Sequence, residues 1–346
     1  MNQIWIIAKL EIRRAFFSRR ALWVYLLALF PAVLFFGHGI SVQYRRSEYA
    51  GKPVTPAAIL DRLPVGTPDT EALATAGQPI SDRKWRRRDI NRRSMQYFDG
   101  SNRVWLEFEN GALKSTTRRA LNSFEEDSKV YAGVFQFFYL RLAIFFGCLG
   151  IFINLFRGEM IDKSLHYWFL APVRREILLL GKYCAGLIAS AVIFGGGALL
   201  SFGALLSYQS SADLQNYLQT DALYHGTWYV LSAMLGCVGY GSVFLAAGLL
   251  LRNPIIPALV MLLWESINGF LPELLQKFSV LHYLQSICPV APPLDPNVPP
   301  LLRLILAPAA PTSTWAAILG LLALTALVLY AASRTVRRLE INYGTE

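Results

Sequence analysis

With 346 residues, 54% of them hydrophobic and only 16% charged, the chain is too apolar for a soluble globular domain of its length. A net charge of +10 would suit a nucleic-acid partner, but the long uncharged runs make this an integral membrane protein, where a basic excess reflects positive-inside loops and anionic lipid. Nucleic acid is therefore not expected among its partners, and membrane lipid is.

Residues 1–20 read as an amphipathic helix. Ile4, Trp5, Ile7, Ala8, Ile12, Ala15 and Phe16 form a broad apolar side, and Lys9, Arg13, Arg14, Arg19 and Arg20 supply charge. Such a helix lies on a membrane surface. The competing reading, a signal-peptide n-region, lacks a convincing cleavage site after the next apolar run. That run, Ala21 to Ile40, is long enough to span, with a kink expected at Pro31.

Residues 41–130 form the one soluble-looking region, and it contains no cysteine. Its first part, to Pro79, is rich in Pro, Ala, Thr and Gly and predicts loop with one short helix. Ser81 to Arg93 predicts a basic helix capped by Ser81 or Asp82. Met95–Phe98 and Arg103–Phe108 predict strands joined by Asp99-Gly100-Ser101-Asn102, with Tyr97, Val104, Leu106 and Phe108 on the buried side and Trp105 breaking the alternation. Asn110-Gly111 marks a second turn, and Thr116 to Asp127 predicts a helix returning to the membrane. The result is a small α+β module. Its cluster of Arg83, Lys84, Arg86, Arg87, Arg88, Arg92 and Arg93 is a solvated face, or a patch for lipid headgroups or an anionic substrate.

Tyr131 to Phe156 is the second expected span. It contains Arg141, which is expected to snorkel to the near interface, the alternative being a polar interior. Residues 157–182 follow, a charged and aromatic stretch between two apolar segments. Met160, Ile161, Leu165, Trp168 and Phe169 fall at helical spacing, and Pro172 breaks that helix before a new one starts near Arg174. A short surface helix and re-entry is a shape suited to docking a soluble partner. A solvated linker anchored by snorkelling Arg and Lys is the plainer alternative.

Further spans are expected at Tyr183–Ser207, Thr227–Leu251, Ile255–Asn268 and Thr312–Ser333, with a short loop over Ser210–Gly226. Glu265 sits inside the fifth, where a carboxylate needs a partner or water, and a structural role at a helix break is the preferred reading. Residues 269–311 are proline-rich, and Glu273 to Ile287, too short to span, suits re-entrant or interfacial helices. Short-loop Lys and Arg concentrate in the N-terminal tail, the 157–182 stretch, Arg252 and the C-terminal tail. This places both termini and the stretch in the cytoplasm and the 41–130 module outside.

Cys148, Cys184, Cys237 and Cys288 have neither zinc nor disulfide spacing, and the four histidines lie far apart, so no metal site is expected. There is no G-x(4)-G-K-[ST], H-E-x-x-H or G-x-S-x-G, so the chain supplies no P-loop ATPase or familiar hydrolase of its own.

Taken in order, a leading amphipathic helix, a span, an external module, a second span, a cytoplasmic stretch E-x(n)-L-x(5)-AP-x-R-R-x-I-x(3)-GK, and four more spans with a broken segment before the last resemble the membrane permeases of type-2 ABC exporters. Glu159, Leu165, Ala171-Pro172, Arg174-Arg175, Ile177 and Gly181-Lys182 carry the resemblance, with weaker support from Trp264-Glu265 and Leu271 to Leu284. It implies an all-α polytopic protein of six transmembrane helices with an N-terminal elbow helix, re-entrant helices and a small α+β extracytoplasmic insertion, in the cytoplasmic membrane. It also implies a coupling helix seated in an ATP-binding cassette ATPase, with ATP and magnesium bound only by that partner, and pairing with a second copy or a related permease. Glu159, Leu165, Trp168, Pro172, Arg174, Arg175 and Lys182 are then the coupling residues, and Arg141 and Glu265 the polar candidates inside the membrane. The alternatives are a membrane-anchored sensor or assembly protein whose external module binds a ligand, and a secondary transporter.

Overall fold

The computed structural model describes residues 3–17, 21–87, 90–161, 168, 170, 173–251, 255–268, 271–291 and 311–337. The chain forms two compact units, residues 37–127 and the remainder. Helix α1 (Gln3–Phe17) buries Ile7, Ala8 and Glu11. Helix α2 (Ala21–Tyr49) carries Pro31 and runs past the expected end at Ile40.

The unit over residues 37–127 contains α3 (Ala57–Leu60), α4 (Asp69–Ala76) and an antiparallel sheet of β1 (Ser81–Arg87), β2 (Ile90–Phe98), β3 (Asn102–Glu109) and β4 (Ala112–Ala120), ordered β1-β2-β3-β4. Residues 81–93, expected as a basic helix, instead lie in a hairpin whose register runs from Ser81↔Gln96 to Arg87↔Ile90. The helix propensity of Arg and Lys is a weak prior, and a ladder that places Met95 and Tyr97 in the core overrides it. Arg93 is held in this ladder by carboxylates of Asp69 and Asp82, each at 2.7 Å. The helix expected over Thr116–Asp127 is likewise strand as far as Ala120, because Thr116 and Thr117 pair with Leu106 and Trp105.

Both predicted turns form. Asp99 Oδ1 accepts from the Ser101 and Asn102 amides at 3.0 and 2.6 Å, and Asn110 and Gly111 adopt positive φ of 51° and 87°, as a two-residue hairpin turn of matching twist requires. The predicted inward set is also correct: Tyr97, Val104, Leu106 and Phe108 join Leu60, Leu63, Ala72, Met95 and Leu113 in one core. Each such side chain contributes roughly 1.5–3 kcal/mol by leaving water.

Acid should loosen this unit. The hydrogen-bonded Arg93 guanidinium lowers the pKa of Asp82. Burial works against ionised Asp99, yet donors from Asn102 and Ser101 hold its pKa below the ordinary value too. A depressed folded-state pKa adds stability above the unfolded value of about 4 and loses it as pH falls through the folded one. Opening free energies of the β1–β3 amides in the intact chain, from hydrogen exchange corrected for intrinsic rate, should therefore be flat above about pH 5 and fall below about pH 4.

A continuous helical run, all but its first four residues in the other unit, comprises α5 (Phe124–Gly133), a π-helical segment (Val134–Ala143) and α6 (Ile144–Ile161). Helix α7 (Arg175–Ser207) begins where the break at Pro172 predicts. The loop expected over Ser210–Gly226 contains α8 (Ser211–Thr220), anchored by buried Tyr217, whose hydroxyl meets His225 Nδ1 at 2.7 Å. Helices α9 (Ala222–Leu250), α10 (Ile255–Ile267), α11 (Glu273–Gln276), α12 (Val280–Ile287) and α13 (Thr314–Arg337) follow among the described residues, with α9 packed against α6, α7, α12 and α13.

Among the described residues five helices are long and apolar enough to cross a bilayer: α2, the run Phe124–Met160, α7, α9 and α13. This is the architecture of a polytopic membrane protein. The expected fifth span is different. Helix α10 has 13 residues, a rise of about 20 Å against a hydrocarbon core of about 30 Å. Much of the proline-rich part of the 269–311 region lies outside the described residues.

Candidate functional site

Two polar clusters are built into the helical unit, and each gathers residues that the sequence reading singles out. In the first, α1, the end of α6 and the start of α7 converge. Lys182 Nζ lies 2.7 Å from Glu11 Oε1 and 2.9 Å from Glu159 Oε1, and the Lys182 side chain is 0% exposed. The Trp168 indole donates Nε1–H to the same Glu159 oxygen at 2.9 Å. The ammonium also sits 5.5 and 5.2 Å from the ring centroids of Phe156 and Trp168. This close packing depends on Gly181. A Cβ there would stand 2.8 Å from Ile7 Cβ, so glycine is what lets α1 press onto α7 and bring Glu11 to Lys182.

Of the expected coupling residues, Glu159 and Lys182 are therefore internal braces, and Trp168 binds to them. Leu165 and Pro172 lie outside the described residues. Arg174 is exposed at the head of α7. Arg175 turns to another task. Its Nη1 donates to the carbonyls of Val336 and Arg337 at 3.4 and 3.2 Å, capping the last turn of α13, and Arg337 pairs with Glu176. The reading from sequence missed Glu11. Its signal was a lone acid in a basic helix, on the apolar face with Ile4, Ile7 and Ala8, where a carboxylate must find a buried cation.

The second cluster joins Arg141 and Glu265. Arg141 does not reach for an interface. Its Nη2 donates to the carbonyls of Glu265 and Ser266, both at 3.3 Å, and so caps the open end of α10. The Glu265 carboxylate, 2% exposed, accepts from the amides of Val280 and Leu281 at 3.1 and 3.3 Å and from the Ser279 hydroxyl. Ser279 Oγ in turn accepts from the His282 amide at 3.1 Å, as the N-cap of α12. The expected role for Glu265 at a helix break is met: one carboxylate ends the need for α10 to continue and starts α12. The π-helical segment holds the same region, with Gln136 Nε2 donating to the Val290 carbonyl at 2.8 Å and the Tyr139 hydroxyl to that of Phe194 at 2.6 Å.

Among the described residues no group of His, Cys, Asp and Glu could hold a metal ion. Neither cluster has the nucleophile and base arrangement of a hydrolase. Both join helices through buried ion pairs or hydrogen bonds. Comparison with protein-family models, with curated proteins and with solved structures yields no match.

Proposed function

We propose that the chain is the membrane permease of an ATP-binding cassette exporter of the type-2 kind, working beside a second copy or a related permease and driven by a separate ATPase. It is not itself an enzyme; ATP and magnesium belong to the partner. In this reading α1 is the elbow helix, residues 157–182 the coupling stretch, α10 with α11 and α12 a broken fifth crossing, and α13 the sixth. Both termini are in the cytoplasm and the sheet unit lies outside a cytoplasmic membrane.

The buried Glu11–Lys182–Glu159 triad is the observation that carries this reading. It ties α1, α6 and α7 together at the two ends of the coupling stretch. A push on that stretch would then move three helices as one body, because ion pairs in a low-dielectric interior are not exchanged for water. Arg174, exposed at the head of α7, is set to meet an acidic rim on the ATPase.

The test is co-purification of the tagged full chain from its own membranes, with the captured ATPase identified by its nucleotide-binding cassette and assayed for hydrolysis. Arg174→Glu should lower recovery and stimulation of the ATPase by roughly ten-fold, a loss of about 1.4 kcal/mol, while the thermal midpoint of the permease stays unchanged. Arg175→Glu should lower that midpoint instead, since it uncaps α13. Failure to recover any ATP-binding cassette protein, or full coupling in Arg174→Glu, would sink the proposal.

A further inference from the structure

The sheet of the 37–127 unit has two unlike faces. Its inner face carries the core. On its outer face Ser81, Arg83 and Trp85 of β1, Ser94 and Gln96 of β2 and Trp105 of β3 line an open groove of about 470 Å³. They share that face because strand residues alternate and the ladders set Arg83 beside Ser94, Ser81 beside Gln96, and Gln96 beside Trp105. Trp105, which broke the predicted alternation, thus points away from the core. Trp85 is 44% exposed.

The charge around the groove is predominantly cationic: on the same face Glu109 is paired with Arg92 at 2.8 Å, and Glu107, opposite Ser94, accepts from the Ser115 hydroxyl at 3.3 Å. Arg83 is exposed at its floor, and the Arg103 guanidinium lies 5.3 Å from the centroid of the Trp105 ring. Arg103 also stands directly opposite Arg119 across the β3–β4 ladder. Like charges at opposed positions destabilise a sheet, and a bound anion removes that repulsion. Two indoles and several guanidiniums on one solvent face is a poor arrangement for stability and a good one for a ligand with an apolar face and a negative charge.

The hydrogen-bonding groups narrow the class. Ser81, Ser94 and Gln96 lie between the indoles, and the Gln96 amide is held in place by donating to the Tyr49 hydroxyl at 2.7 Å. A flat hydrocarbon ring laid there would strip water from these groups without replacing it. A sugar ring offers C–H surface to the indoles and hydroxyls to the serines and the amide, and a carboxylate or phosphate on it would take the arginine fork. We infer that this groove binds a sugar unit bearing a carboxylate or phosphate, presented either as a soluble anionic saccharide or as a glycolipid headgroup. The inference stands on the sheet unit alone and does not require ATPase coupling.

The experiment uses the full chain in phosphatidylcholine nanodiscs and titration calorimetry with glucuronic acid, glucose 1-phosphate and glucose. Both acidic sugars should bind saturably, and glucose more weakly by roughly ten-fold. Trp105→Ala and Arg83→Glu should each weaken the acidic sugars by a similar factor, and Trp105→Phe should keep most of the affinity. Both positions are on the outer face, so thermal midpoints should not move; should Trp105→Ala misfold, exposed Arg83→Glu decides the matter. Vesicles containing a glucuronosyl lipid that compete with glucuronic acid assign the headgroup as source, and vesicles that fail to compete assign the soluble saccharide. Absence of saturable binding by both acidic sugars, equal binding of glucose, indifference to Arg83→Glu, or tighter binding of indole-3-acetate than of glucuronic acid would each overturn the inference.

Discussion

Lys182→Ala is expected to destabilise the purified chain by about 3–5 kcal/mol, the usual penalty for removing one member of a buried ion pair. Glu11 and Glu159 are 3% and 5% exposed, and without the ammonium two carboxylates would face each other in a site that water does not reach. Thermal midpoints in detergent should fall sharply, and the yield of folded protein with them. Removing all three charges at once, as Glu11→Gln with Glu159→Gln and Lys182→Met, should recover most of the loss, because no ion is then stranded. The same triple variant separates stability from action. A chain that folds but no longer couples would place force transmission in the triad, whereas a single Lys182→Ala that is as stable as the parent would show that the pairs are not formed.

Glu265→Ala should be nearly as damaging, by on the order of 3 kcal/mol or more, since it leaves the Ser279 hydroxyl and two backbone amides without their acceptor at a buried helix start. Glu265→Gln keeps one acceptor oxygen and should lose less. A double-mutant cycle with Ser279→Ala checks the mechanism: coupling of roughly 1 kcal/mol or more is expected for groups in one network, and strict additivity would mean that the carboxylate does not cap α12. The effect should be local. Amides of α12 should lose protection while those of α9 keep theirs.

Much of this protein was legible without coordinates wherever the signal is local. Apolar runs longer than a bilayer is thick require membrane helices because backbone polar groups have no other way to be satisfied in lipid. Pro172 predicted the break before α7, Asp99-Gly100 and Asn110-Gly111 predicted their turns, and period-two alternation picked out Val104, Leu106 and Phe108 as core. Glu265 was expected at a helix break because a carboxylate inside an apolar run has few other places to be.

The remainder depended on partners distant in the chain. Residues 81–87 are rich in helix-forming Arg and Lys, and only pairing with β2 makes them a strand. Arg141 was expected at an interface because snorkelling is open to any arginine near a helix end, and only the bare carbonyls of α10, 124 residues away, offered something better. Lys182 and Glu11 are 171 residues apart. Periodicity predicts that each lies on the apolar face of its own helix, but that the two faces meet is decided by how closely Gly181 lets those helices approach. Local chemistry thus determined the elements and their turns, and tertiary packing decided which charges were buried together, because an ion leaves water only where a partner of opposite charge is already held in place.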